Sequence, residues 1–93
     1  MNIPTAAERQ AAAQTLGINE QYLYQWLTGR RGVPPPWRVR LEQTLYVSHG
    51  ISVEHFGDDA RWHRVPDPAW PHPQGRPLID VAAPVAQEVR DAA

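Results

Sequence analysis

Small and large apolar residues recur at helical spacing through the first half of the chain, and the first such stretch follows a helix-start signal. Thr5 and Glu8 have the spacing of a capping box, in which the threonine hydroxyl and the glutamate carboxylate each accept a hydrogen bond from a free backbone amide. The alanines that follow favour a helix. Gly17 stands where a left-handed residue would end it, so the pattern predicts a helix from Ala6 to Leu16.

The stretch LGINEQYLYQWLTGRR predicts a second helix over residues 20–28, with Asn19 as its N-cap and Gly29 at its end. At about 100° per residue, its large apolar side chains fall within an arc of about 140°. These are Tyr22, Leu23, Trp26 and Leu27, and the opposite arc holds Glu20, Gln21, Tyr24, Gln25 and Thr28. Glutamine can make paired hydrogen bonds to adenine edges in the DNA major groove, and glutamate can accept one from cytosine. We therefore expect this helix to bury one face and to display the other for recognition.

The junction between the two helices has the residue pattern of a helix-turn-helix. Ala12 and Leu16 are expected to face inward, and Ala13 is small enough for two helices to approach closely. Gly17 makes the turn, and Ile18 fills the space beneath it. In such a motif the second helix enters the major groove of DNA.

A plain bundle of two amphipathic helices, with the glycine as an ordinary C-cap, is the alternative interpretation. The residues TGRR favour DNA binding, because Thr28, Arg30 and Arg31 follow the second helix where they could hold phosphates. We also expect the start of the first helix, near Arg9 and Gln10, to face phosphates through its backbone amides.

Prolines determine where the third helix can begin. The residues VPPPW cannot lie inside a helix, but the last proline can occupy a first turn, which predicts a third helix from Pro36 to Tyr46. Trp37, Leu41 and Leu45 recur every four residues along it and predict one buried stripe.

The periodic signal weakens after Gly50. There SVEHF is compatible with one capped helical turn and ARWHRV with a short strand. Residues 66–77 are punctuated by prolines and are predicted to be extended. Residues 83–93 are predicted to be a loose tail or a frayed helix.

Charge and composition change this picture only slightly. The net charge of −1 is the sum of +2 over residues 1–50 (five Arg, three Glu) and −3 over residues 51–93 (four Arg, seven acidic residues). The N-terminal part is therefore basic and the C-terminal part acidic.

The absence of cysteine excludes disulfides and cysteine-based zinc sites. The histidines lack metal-binding spacing and no nucleophile-elbow pattern surrounds the serines, so we predict no metal, no cofactor and no enzymatic activity. No apolar run approaches the ~18 residues of a membrane span, and the N-terminus lacks a signal-peptide pattern, so we expect a cytoplasmic protein without membrane attachment.

The run QAAAQTLGINEQYLYQWLTGRRGVPPPWRVRLEQ resembles the Cro-like helix-turn-helix regulators, and especially their YdaS-like antitoxin branch. The resemblance is carried by Leu16-Gly17, Trp26, residues 28–31, Val33-Pro34 and Leu41-Glu42. It implies a small DNA-binding repressor, commonly from a prophage or a toxin–antitoxin locus, that acts as a dimer on a palindromic operator. The family has a full helix before its helix-turn-helix, whereas only eight residues precede Arg9 here, so that helix is absent, shortened or fused with the next.

These observations together predict a mainly α protein. Residues 1–57 are expected to form a small Cro/repressor-like helix-turn-helix domain, and residues 58–93 an extended segment rich in proline and containing tryptophan. The protein is expected to be a sequence-specific transcriptional repressor that binds double-stranded operator DNA as a homodimer. The predicted DNA-binding residues are Arg9, Gln10, Asn19, Glu20, Gln21, Tyr24, Gln25, Thr28, Arg30 and Arg31. Among these, Gln21, Tyr24 and Gln25 are expected to reach base edges, while Glu20 either reads a cytosine or only tunes the helix start.

The segment 58–93 has two interpretations, because Trp62 and Trp70 would be unusual in a merely flexible tail. We favour a packing or dimerisation arm that folds back over the helices or onto a second subunit. The other interpretation is a strip that binds a protein partner, since extended proline-rich segments lose little entropy on docking. It leads to a second functional hypothesis, an interaction module such as an antitoxin or antirepressor with a toxin or other protein as its partner.

Overall fold

A computed structural model describes residues 2–80 and gives a mainly helical fold with one small sheet. Its helices are α1 (Ala6–Leu16), α2 (Glu20–Leu27) and α3 (Pro35–His49), followed by a short 3-10 helix (Val53–Phe56). Two strands, β1 (Trp62–Val65) and β2 (Arg76–Ile79), form an antiparallel hairpin. The predicted tail over residues 83–93 lies outside the described residues.

Helix α1 has the predicted bounds because both of its ends are fixed by local hydrogen bonds. The Thr5 amide donates to Glu8 Oε1 at 2.8 Å, and the Glu8 amide donates to Thr5 Oγ1 at 3.3 Å, which completes the capping box. At the other end Gly17 is left-handed, with φ of 73°, and the Ile18 amide donates to the Ala13 carbonyl at 3.0 Å.

Helix α2 begins where predicted, because the Asn19 side chain accepts a hydrogen bond from the Gln21 amide at 2.8 Å. It ends at Leu27, with Thr28 as its C-cap, one residue before the predicted end. Gly29 then takes a positive φ of 79°, which turns the chain back along the helix. The expectation that Tyr22 would be buried is wrong, since 46% of this residue is exposed at the edge of the core.

The core lies between the three helices. Ala12 and Ala13 of α1 are buried, which is consistent with close approach of neighbouring helices. The other core residues are Leu23, Trp26, Leu27, Val33, Leu41, Leu45 and Ile51. Leu16, Ile18, Trp37 and Phe56 pack against this cluster while remaining partly exposed. The predicted stripe on α3 is therefore buried at Leu41 and Leu45 but only half-buried at Trp37.

Helix α3 is longer than predicted at both ends. Pro35 and Pro36 both lie in its first turn, where a missing amide hydrogen leaves no helical bond unmade. At the C-terminal end the helix continues to His49, and Gly50 closes it with φ of 67°. The extra turn was missed because it carries polar residues and an exposed Val47, which weaken the apolar periodicity.

The predicted capped turn and short strand are both present, but residues 66–77 are not simply extended. The Trp70 amide donates to the Asp67 carbonyl and the Gly75 amide to the His72 carbonyl, each at 3.0 Å, so the chain turns twice and returns as β2. Trp62 then pairs with Ile79, and Val65 with Arg76.

Glu42, on α3, is the point at which the hairpin is attached to the helices. Its side chain is fully buried, and its carboxylate accepts four hydrogen bonds. The donors are the Val53 amide at 3.1 Å, Arg64 Nη1 and Nη2 at 2.8 and 2.7 Å, and Trp70 Nε1 at 2.6 Å. Burial raises the pKa of Glu42, but the hydrogen bonds from Arg64, Trp70 and Val53 outweigh it and hold the pKa below its ordinary value. The buried carboxylate therefore stays charged, and it joins the 3-10 helix and the hairpin to α3.

Candidate nucleic-acid interface

The exposed face of α2 is a polar strip bordered by two arginine side chains. At about 100° per residue, Gln21, Gln25 and Thr28 lie opposite the fully buried Leu23. Gln21 is exposed in the middle of this strip, and Gln25 is half-buried beside it. Within residues 2–80 the Gln21 side-chain amide has no hydrogen-bond partner, so both its donor and its acceptor are available to a ligand.

Arg9 borders one side of the strip and is held by three groups. Its Nε donates to Glu20 Oε2 at 2.6 Å, and its Nη1 donates to the Pro4 carbonyl at 3.0 Å. The guanidinium also lies over the Tyr24 ring, with the carbon 4.6 Å from the ring centroid. Arg9 therefore ties α1 to the start of α2 and neutralises Glu20, which leaves little of its charge for a ligand.

Arg31 borders the other side and has no acidic partner within residues 2–80. Its Nε donates to Gln25 Oε1 at 2.9 Å, and its guanidinium lies over the Tyr22 ring at 4.4 Å from the centroid. The Arg31 amide also donates to the Gln25 carbonyl at 3.2 Å, which folds the TGRR segment back against the helix. Arg31 thus lies beside the polar strip and not beyond the end of α2.

The remaining predicted residues are spread around this strip. Gln10 and Arg30 are exposed, and neither side chain has a partner within residues 2–80. Asn19 uses its side-chain oxygen to cap α2, while Thr28 Oγ1 donates to the Tyr24 carbonyl at 2.8 Å. The Arg9 amide is bonded to the Thr5 carbonyl at 2.8 Å, so contacts from this part of α1 would have to come from side chains.

Sequence reasoning did not identify Tyr22 as a member of the interface. The helical wheel placed it at the margin of the apolar arc, where an amphipathic ring can lie on either side of the boundary. Its ring makes an edge-type contact with the Trp26 ring, at a centroid distance of 6.0 Å, and also contacts the Arg31 guanidinium. An arginine a few residues after the helix, within reach of this ring, was the signal that could have revealed the pair.

Other chemistries have weaker support in the described residues. Residues 2–80 contain no cluster of three or more histidine or acidic side chains that could hold a metal ion. Ser48 Oγ lies 2.7 Å from His49 Nδ1, and His49 Nε2 lies 3.2 Å from Glu8 Oε1. This Ser–His–Glu chain lies where the end of α3 meets the start of α1, with the serine and glutamate open to water. It matches a catalytic triad only in the order of its residues, because the hydroxyl contacts Nδ1 and the carboxylate Nε2, the reverse of the triad arrangement.

Comparisons with family models, curated proteins and solved structures give no match to this chain. Within residues 2–80, no helix combines the length and the apolarity that crossing a membrane requires.

Proposed function

We propose that this protein is a sequence-specific DNA-binding repressor of transcription in which α2 is the recognition helix. The observation that carries the proposal is the polar strip of α2, where Gln21 lies between two arginines stacked on tyrosine rings and has no side-chain partner within residues 2–80. An amide can contact a base edge, and a fixed guanidinium can contact a base or a phosphate. A surface that only meets water needs none of these features.

The arrangement of α1 and α2 supports this role. Three residues, Gly17 to Asn19, join the two helices, and Arg9 holds the exposed start of α2 against α1. A recognition helix needs such support, because a contact to a base edge depends on accurate placement of the backbone. The charges also favour DNA binding, since Arg30 and Arg31 form no ion pair within residues 2–80.

Binding as a homodimer follows from the size of the proposed reading surface. One recognition helix covers one half-site, and two-fold related subunits would place two such helices about 34 Å apart on a palindromic operator. Repression would then result from occupying the operator, with no chemical step. The resemblance of residues 10–43 to the Cro-like regulators, and to their antitoxin branch, is consistent with this role.

The direct test is selection of bound duplexes from a random DNA pool by the full-length protein. The proposal predicts enrichment of one motif with two inverted half-sites about one helical turn apart. Enrichment of no motif at moderate salt, where sequence-independent phosphate contacts are weakened, would reject the proposal.

A second candidate function, docking of a protein partner, is supported by a groove between the hairpin and the start of α3. This groove has a volume of about 620 Å³ and is mostly apolar. Its lining residues are Pro35, Pro36, Val39, Arg40, Trp62, Arg76, Pro77, Leu78 and Ile79. An interaction module of this kind, such as an antitoxin that binds a toxin, need not bind DNA. The same selection separates the two candidates.

A further inference from the structure

Arg31 differs from the other arginines near α2 in how its guanidinium is held. Gln25 Oε1 accepts a hydrogen bond from its Nε at 2.9 Å, and the Tyr22 ring lies against its flat face. Arg9, by contrast, is neutralised by Glu20, and the exposed Arg30 side chain has no partner within residues 2–80. The Arg31 side chain is therefore oriented by its contacts, and no acidic group within residues 2–80 offsets its charge.

The groups of Arg31 that remain available are its two terminal amino groups. Nε is used by Gln25, and within residues 2–80 neither Nη atom has a hydrogen-bond partner. Two parallel donors of this kind match the O6 and N7 acceptors of guanine in the major groove. Adenine presents N7 beside an amino donor, which would oppose one of the two groups.

The position of this pair of donors also favours a base over a phosphate. Arg31 lies against Gln25 and Tyr22, next to Gln21 on the exposed face of α2, and in helix-turn-helix proteins side chains on the exposed face of the recognition helix contact base edges. The Arg30 side chain, by contrast, is exposed and has no partner within residues 2–80, so no contact aligns it with a base edge.

We propose that Arg31 is a specificity-determining residue that reads one guanine in each half-site, and that Gln25 and Tyr22 are its positioning residues. This inference rests on the proposed function. It assigns to Gln25 the task of orienting Arg31, in place of reading a base of its own. It also assigns different contacts to the two neighbouring arginines. Arg31 contacts a DNA base, and Arg30 contacts the DNA phosphate backbone.

The experiment repeats the random-pool selection with Arg31→Ala, Gln25→Ala and the matched control Arg30→Ala, after circular dichroism has shown that each variant is folded. The parent motif should contain one guanine per half-site that Arg31→Ala no longer selects, with about a tenfold or greater loss of preference there. Gln25→Ala should weaken selection of the same guanine. Arg30→Ala should bind more weakly but keep the motif unchanged.

A second arm replaces that guanine by 7-deazaguanine, which carries a C–H group in place of N7. The parent should lose affinity for the modified operator, while Arg31→Ala should bind both operators equally. Uniform weakening by Arg31→Ala with an unchanged motif would assign Arg31 to a phosphate and overturn the inference. Loss of a different base by Gln25→Ala would overturn the positioning role. If the parent itself enriches no motif, the proposed function fails first and the inference with it.

Discussion

Single side chains determine which groups α2 can present to a ligand. Arg9 and Arg31 are each stacked on a tyrosine ring, yet only Arg9 has an acidic partner. Stacking on an exposed ring contributes about 0.5–1 kcal/mol, enough to bias a long side chain toward one orientation without fixing it permanently. The sequence predicted that Arg31 follows the second helix closely, and it placed Arg9 at the start of the first helix. It could not predict their partners, because pairing depends on where the chain turns after Gly29.

The conformation of Gly17 can be tested by substitution. Its φ is 73°, and a Cβ built there would meet no atom within 4 Å, so backbone strain is the only expected cost. We predict that Gly17→Val lowers the free energy of unfolding by about 1–3 kcal/mol, measured by urea denaturation. Gly17→Asn should cost less, because asparagine tolerates the left-handed region.

Gly32→Ala is the matched control, since Gly32 has no positive φ and equal space around it. A similar loss in both the Gly17 and Gly32 variants would show that the left-handed turn is not the cause.

At the scale of elements, the helices were largely predictable and the hairpin was not. The limits of α1 follow from Thr5, Glu8 and Gly17, which act through neighbours in the sequence. The hairpin is held to the helices by contacts of Arg64 and Trp70 with Glu42, which lie 22 and 28 residues apart in the sequence. A proline-rich sequence without apolar alternation gives no signal for such contacts, and so residues 66–77 were expected to be extended.

The attachment of the hairpin predicts a pH-dependent stability. Since the pKa of Glu42 is lowered on folding, its hydrogen bonds stabilise the protein above the ordinary carboxyl pKa of 4.5. That stabilisation is lost as the pH falls below 4.5, through the lower pKa of the folded state. Glu42→Gln should therefore lower the free energy of unfolding by about 3–5 kcal/mol at pH 7, where it breaks a buried pair, and by less as the pH falls.

Glu54→Gln is the control for the charge itself. Glu54 contacts the same Arg64 guanidinium, with Oε1 at 2.9 Å from Nη2, but its side chain is 53% exposed. An exposed partner contributes about 0–1 kcal/mol, so this variant should be nearly as stable as the parent in urea denaturation at pH 7. Equal losses from the two substitutions would contradict the anchoring role of Glu42.

For the whole molecule, the proposed function calls for a second subunit, because the polar strip of one chain would cover only one half-site. Composition did not reveal how charge is distributed, because the net charge of −1 conceals both paired and unpaired arginines. Within residues 2–80, four arginines form five ion pairs, and two arginines beside α2 form none. Only the folded arrangement separates paired from unpaired charge.

We predict a two-fold dimer for the full-length protein. Sedimentation equilibrium should give twice the chain mass without DNA and two chains per palindromic site with operator DNA. The half-sites of that operator should lie about 34 Å apart, one helical turn of DNA. A protein that stays monomeric at high concentration in both conditions would exclude the dimeric arrangement, while leaving recognition of a single half-site by α2 open.

The most direct test of base reading by α2 is a salt titration of operator and random duplexes with Gln21→Ala and Arg30→Ala. Alanine favours helix, so the first substitution should leave α2 folded while removing the unpartnered amide. We predict that Gln21→Ala weakens operator binding by about 1–3 kcal/mol with little effect on random DNA. Arg30→Ala should weaken both and lower the salt slope by about one unit. If Gln21→Ala binds both duplexes as the parent does, the exposed face of α2 does not read bases at Gln21, and the central claim is contradicted.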